Sequence, residues 1–386
     1  MVVLLASVLK PVDDTRMRSK FAETLVSRPH VQVHVAGRRA TGGGPAEAQH
    51  PRITPHAIFD GPRLSLGRLG AQWRYWRLLR RVRPALVVVH APELLPLTLL
   101  WQGLRRGRRF LYDIRENYAL NVRTQRVYQG PVRQLLAAGL RWVEARAAAR
   151  AAGLLLAEAS YADELPFLRG LPPGRVVTLE NKYHPAPGYA PAAPRPLPPP
   201  SEPLRLLYSG TISELNGVWE AIALAQALRA AWPGGVQLTI IGFCQQPALL
   251  ARVQATVAQS PGLTLIGGAE LVPHARIVAE IGRSHLGLLP YRPHPSTERC
   301  RPTKLFEYLA HGLPVVAAPN PLWQVVLDAH HAGLTWDFAT NAASPDAAAA
   351  LVARLRRRVF YPAGIPAAAL WASEGKKLWL LLDSFV

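Results

Sequence analysis

The stretch HPAPGYAPAAPRPLPPPSEP, residues 184–203, places nine prolines in twenty positions. Proline lacks an amide hydrogen and has a fixed φ. Such a segment forms neither a helix nor a central strand, and it reads as an extended, semi-rigid linker. It divides a chain of 386 residues into two parts, each long enough to bury a core of its own.

The same pattern runs outward from the linker on both sides. Before it, Val2–Leu9, Val31–Ala36, Leu86–His90, Arg109–Asp113, Gly153–Ala157 and Arg175–Leu179 are short β-branched or aliphatic runs that predict strands. Amphipathic stretches at Asp14–Ser27, Leu69–Val82, Leu94–Arg105 and Pro131–Ala152 predict the helices between them. After it, strands are predicted at Leu204–Ser209, Val236–Gly242, Leu263–Gly267, Leu286–Leu289 and Pro314–Ala317. Helices are predicted at Gly217–Ala231, Gln246–Gln259, Pro273–Ile281 and Lys304–His311. Alternating strands and helices mean a parallel sheet covered on both faces. The expected organisation is an N-terminal Rossmann-like domain at 1–183, the linker, a second such domain at 204–366 and a C-terminal helix at 367–386 that packs back on the first. Two such domains face a central cleft and bind ligands at the carboxyl ends of their strands.

Composition narrows the class. An apolar content of 49% with 10 Trp, 11 Tyr and 9 Phe is that of a folded protein. Cys244 and Cys300 are the only cysteines and form no C-x-x-C. Neither a disulfide framework nor a zinc site is legible, as in a reducing cytoplasm. The opening MVVLLASVLK lacks a basic region and is too short to span a bilayer, so it reads as a buried first strand. The net charge is +20, of which residues 1–183 carry +16. Two readings stay open. One is an anionic partner, with a membrane surface favoured over nucleic acid. The other is compositional bias, since 39 of the 45 basic residues are arginine. Residues 72–84, QWRYWRLLRRVRP, share the ambiguity. They fit an interfacial helix, or a surface helix that packs its Trp and Leu on the sheet and solvates its arginines.

The most specific string is RPTKLFEYLAHGLPVV, residues 301–316. Thr303 can cap a short helix whose first amides, together with Lys304, suit a diphosphate. Glu307, one turn on, can accept two hydroxyls, though an ordinary i, i+3 ion pair has the same spacing. The string as a whole closely resembles the donor-site signature of glycosyltransferase family 4, P-x-K-L-x-E-Y-x-A-x-G-x-P-V-V. Three further passages resemble the same family: ASVLKPVDDTRMRSKFAETL near the start, LYDIRENY at 111–118 and LYSGTISELNGVWEAIALAQAL at 207–228.

The resemblance implies a GT-B fold and a retaining, metal-independent transfer from a nucleotide diphosphate sugar to a glycan or lipid-linked acceptor, with no other cofactor. The sparse cysteines and the basic first half, for their part, lead to the expectation of a cytoplasmic enzyme, peripheral on the inner face of the cell membrane. Glu307 would hold the ribose, while Lys304 and Arg301 would hold the diphosphate as the groups that stabilise the leaving charge. Gly210, Arg299, Thr303 and Leu305 would complete the donor site. Where family members carry a second glutamate eight positions earlier, this chain has Arg299. Where they often carry Arg-Lys before the donor-helix glycine, it has Leu215-Asn216.

Acceptor-side candidates sit at predicted strand ends in the first half: Asp14, Arg16, His90, Asp113, Arg115 and Glu116. For His90 a satisfied buried histidine is an equal reading, and for Asp14 and Arg16 a helix cap with a solvated charge. The chain lacks D-x-D and any His, Asp or Glu cluster with metal spacing. It also lacks a G-x-G-x-x-G after the first strand and a G-x-S-x-G elbow, against a dehydrogenase or a hydrolase. A nucleotide-sugar epimerase or phosphorylase of the same fold and a basic nucleic-acid-binding protein remain as alternatives.

Overall fold

The computed structural model describes residues 1–40, 50–62, 65–124, 130–172, 174–186, 188–190, 193–194, 196–295, 297–341 and 344–384. The chain forms two compact units, Met1–His184 with Trp371–Val386, and Pro185–Leu370.

Seven parallel strands build the first unit: β1 (Val2–Pro11), β2 (Gln32–Arg38), β3 (Ile53–Phe59), β4 (Leu86–Val89), β5 (Arg109–Ile114), β6 (Gly153–Leu156) and β7 (Val176–Thr178). They lie in the order β3-β2-β1-β4-β5-β6-β7. The inner strands read as nearly unbroken apolar runs because helices cover both faces of the sheet. Val3, Leu5, Val33, Val35, Val88, Leu111 and Leu155 form part of one core cluster with Phe21, Trp371 and Leu378. The β3 segment, ITPHAIF, was not anticipated as a strand, because Pro55 and His56 interrupt its pattern. Its position at the sheet edge is where a proline is tolerated.

The stretch expected as one helix over Asp14–Ser27 is instead a wide helical segment, Arg16–Ala22, continued by an α-helical turn, Glu23–Val26. The amide of Lys20 reaches back five residues, to the carbonyl of Thr15 at 2.9 Å. The C-terminal segment is also split, into a short turn at Ala367–Ala369 and a helix over Ala372–Asp383. That helix is held within the first unit by polar contacts as well as apolar ones. Glu374, wholly buried, accepts from Lys182 at 2.5 Å and from Lys377 at 2.9 and 3.0 Å. Trp371 donates its indole N–H to Thr24 at 2.9 Å.

The second unit has six parallel strands: β8 (Leu204–Ser209), β9 (Val236–Phe243), β10 (Leu263–Gly268), β11 (Leu286–Leu289), β12 (Val315–Ala317) and β13 (Gly333–Thr335). Their order is β10-β9-β8-β11-β12-β13. The order of each sheet reverses direction beside its first strand, between β1 and β4 and between β8 and β11. Ligands of open α/β sheets bind outside the carboxyl ends of the strands at such a point.

Candidate active site

In the second unit, β8 ends at Ser209 and the chain turns at Gly210, whose φ is 93°. Only glycine adopts that conformation without strain, and a Cβ there would lie 2.7 Å from Cε of Lys304. Gly217, φ 79°, starts the Val218–Ala231 helix, and a Cβ on it would collide with the carbonyl of Pro290 just beyond β11. Bare backbone at both loops lets the ends of β8 and β11 close around Lys304.

Lys304 lies in the first turn of the helix Thr303–Ala310. Its ammonium sits over the rings of Tyr208 and Tyr291, 5.0 and 5.2 Å from their centroids. It donates to no described residue, so its hydrogen-bonding capacity is unused while the two aromatic faces hold it in place. Burial lowers its pKa to about 8, and the nearby charge of Glu307 offsets only part of that shift. Tyr308, buried one turn along the helix, shares a 2.9 Å hydrogen bond with Ser209 and so ties the helix to the end of β8.

The i, i+3 ion pair between Lys304 and Glu307 that the sequence allowed does not form. Glu307, buried apart from 8% of its surface, hydrogen-bonds through Oε1 to Nε2 of His274. His274 is the first residue of the helix His274–Arg283. The cap expected of Thr303 is also corrected. Thr303 is the first helical residue, Pro302 precedes it in extended conformation, and no side chain caps the end. Proline at that position leaves the first amides without a side-chain acceptor. Leu305 is fully buried, with its side chain in the core. Arg299 is exposed and Arg301 half-buried on the segment leading into the helix. Tyr208, Tyr291 and His274 were missed, because aromatic residues at strand ends and a histidine after a proline carry no signature until the strands align.

In the first unit, five of the six acceptor-side candidates come together. Asp113, at the end of β5, accepts from Nε and Nη2 of Arg16 at 2.8 and 2.6 Å and bonds Nδ1 of His90 at 2.7 Å. Arg16 also donates to the carbonyl of Leu179 at 2.9 Å and to Asn181 at 2.8 Å. Arg16, Asp113 and His90 are all buried. Burial raises the Asp113 carboxyl, but Arg16 and His90 outweigh it and hold it far below the usual carboxylate range. Burial lowers His90, against the pull of Asp113. Beside this cluster Asp14 pairs with Arg115 at 2.8 and 3.1 Å and caps the amide of Met17 at 3.1 Å. Glu116 stands apart, 3.7 Å from Lys10 and accepting from Asn121 at 2.9 Å. The arrangement ties the ends of β1, β4, β5 and β7 together with charges that satisfy one another. Among the described residues, no three His, Cys, Asp or Glu are grouped as metal ligands.

Residues 16–182 match the Glycosyl transferase 4-like domain family, and the match spans most of the first unit. No curated protein matches the chain by sequence. Solved structures match over its whole length. Sucrose-phosphate synthase from Thermosynechococcus elongatus superposes with TM-score 0.64 at 15% identity, over 99% of this chain and 98% of that one. Anabaena HepE in complex with UDP and glucose gives TM-score 0.64 at 12% identity, covering all of both chains. WaaG, a glycosyltransferase involved in lipopolysaccharide biosynthesis, gives 0.59 at 14% identity, over 97% of this chain and 94% of that one. At these identities the likeness shows the fold, which is GT-B. With a glycosyl transferase 4-like domain in its first unit and the GT-B fold, the chain is a glycosyltransferase.

Proposed function

We propose that the protein is a retaining, metal-independent glycosyltransferase that moves a sugar from a nucleotide diphosphate donor to a glycan or lipid-linked acceptor, in the cytoplasm at a membrane surface. The observation that carries the donor reading is the ammonium of Lys304, held by two aromatic faces with no described hydrogen-bond acceptor, at the strand-order reversal of the second unit. A diphosphate supplies the missing acceptors. Lys304, the first amides of its helix and Arg301 neutralise the charge that grows on the leaving phosphate oxygen as the glycosidic bond breaks. The acceptor oxygen bonds the anomeric carbon on the face the diphosphate leaves, and the leaving diphosphate takes the acceptor proton. The protein's part is positioning and charge stabilisation, with no side-chain base required.

Glu307 takes the ribose hydroxyls in this reading, displacing or sharing the imidazole of His274. Glu307→Ala should keep the fold and lower donor affinity by about 30- to 700-fold, the equivalent of about 2–4 kcal/mol for charge-assisted hydrogen bonds lost from a buried carboxylate. Calorimetric titration with the nucleotide diphosphate reads it directly, and unchanged affinity in a folded variant removes Glu307 from the site.

The complexes of HepE with UDP and UDP-glucose make UDP-sugars the first donors to try, with GDP- and dTDP-sugars alongside in a thermal-shift screen. The anomeric configuration of the product, read by NMR, tests retention. Turnover should persist in excess EDTA. Loss in EDTA with recovery on added magnesium or manganese would replace this mechanism with a metal-assisted one.

A further inference from the structure

We propose that one helical face of the first unit docks on an anionic lipid bilayer. The crossovers from β3 to β4, β4 to β5 and β5 to β6 all run the same way along the sheet. Right-handed connections therefore place the helices Gly67–Val82, Leu95–Gly103 and Gly130–Arg150 side by side on one face. The side chain of Gln102 joins the last two, donating to the carbonyl of Arg150 at 3.1 Å.

This layer concentrates exposed apolar surface. Among the described residues fourteen large hydrophobic side chains are exposed, and nine of them lie here or at the ends of these helices. On Gly130–Arg150 they form a stripe at helical spacing: Val132, Leu135, Leu136 and Trp142, with Leu135 78% and Trp142 69% exposed. Leu66, Leu69 and Trp73 form a second stripe on Gly67–Val82. The inward positions of that helix, Tyr75, Leu78 and Leu79, pack on the sheet as the plainer sequence reading required, whereas Trp73 does not.

The charge around these stripes is overwhelmingly positive. Residues 66–109 and 130–150 hold fourteen arginines and two acids, Glu93 and Glu144. Glu144 is buried, where Tyr112 donates to it. Arg80, Arg105, Arg106 and Arg146 are exposed and pair with no described carboxylate, while Arg77 stacks over Trp73 at 4.5 Å. Compositional bias scatters arginine over every face and does not leave leucine and tryptophan in water beside it. Exposed leucine and tryptophan flanked by unpaired arginine is the chemistry of a helix layer that sinks its apolar stripe among acyl chains and its cations among anionic headgroups. No helix among the described residues is long and apolar enough to cross a membrane, so contact through this layer is peripheral. The proposal extends the functional reading by naming the surface that brings the enzyme to a membrane-borne acceptor, and it does not depend on the donor site.

The test is co-sedimentation of the full chain with vesicles of phosphatidylglycerol and phosphatidylcholine, against phosphatidylcholine alone, at 0.1 and 1 M salt. Binding is expected on the anionic vesicles at low salt and should weaken at 1 M, where the Debye length falls to about 3 Å. Leu135→Ser with Trp142→Ser should reduce partitioning at least about tenfold, because the apolar stripe provides the inserted area. Arg105→Gln with Arg146→Gln should reduce it and flatten the salt dependence. All four side chains are exposed, so circular dichroism and thermal midpoint should stay near wild type. UDP binding by calorimetry provides an independent control, and its failure would count against the donor reading alone. The proposal is overturned if the wild type ignores anionic vesicles. It is equally overturned if the serine pair binds them as well as wild type, if that pair instead dissolves a dimer seen by light scattering, or if the layer binds duplex DNA in preference to vesicles.

Discussion

Lys304→Met is expected to lower kcat/KM by about 100- to 1,000-fold, or about 3–4 kcal/mol, and to abolish the alkaline limb of the pH profile. The magnitude follows from removing one preorganised donor aimed at developing negative charge in a water-poor site. The pH dependence follows from the burial that lowers the free-enzyme pKa of Lys304 to about 8. The ammonium, not the amine, meets the diphosphate. Below pH 8 the site is charged and competent. As pH rises through 8 the proton is lost and kcat/KM falls with it. Lys304→Arg separates charge from geometry. A guanidinium stays protonated across the range, so the alkaline limb should disappear while some activity remains. Activity in Lys304→Met close to wild type, with its alkaline limb intact, would show that the diphosphate is held elsewhere.

The other large effect concerns stability. Arg16→Met should destabilise the first unit by about 3–5 kcal/mol, because it leaves Asp113 charged, buried and without its bidentate partner. Adding Asp113→Asn to the same chain should recover much of the loss, since the uncompensated charge is then gone. Differential scanning calorimetry reads both, following the transition of the first unit because a two-unit chain need not unfold in one step. The same cluster sets an acid limit. His90 resists protonation in the folded state, so its contribution is lost as pH falls below its ordinary 6.5. Asp113 is held ionised, and its contribution is lost as pH falls through its ordinary 3.8 and below. Both act in one direction, and the first unit should weaken steadily in acid. Were Arg16 a substrate contact only, Arg16→Met would lower activity and leave the transition unmoved.

Much of this was legible because periodicity and punctuation are local. Runs such as VVLL, LVVV and LGLL are apolar on both faces only where helices cover both faces of a sheet, so the parallel α/β units followed from strings alone. The helices Pro321–Ala329 and Pro345–Arg357 went unread although their starts were visible as Asn-Pro and Ser-Pro. Asn320 caps Leu322 at 2.9 Å and Ser344 caps Ala347 at 3.3 Å, as such pairs do. The edge strand β3 was hidden by its proline, and β13 by its length of three residues. The string at 301–316 singled out Lys304 and Glu307 through its resemblance to a donor-site signature, and both residues do lie within one turn of one helix, Thr303–Ala310.

What those residues meet was decided by tertiary structure. Tyr208 and Tyr291 come from the ends of β8 and β11, strands separated in sequence by about eighty residues that are hydrogen-bonded neighbours in the sheet. The pairing of Glu307 with His274 rather than with Lys304 depends on where a separate helix begins. In the first unit, Asp14, Arg16, His90, Asp113 and Arg115 stood in the sequence as isolated charges at strand ends. Only the strand order β1-β4-β5 brings them within hydrogen-bonding distance, where the high cost of a buried charge forces each to find a partner.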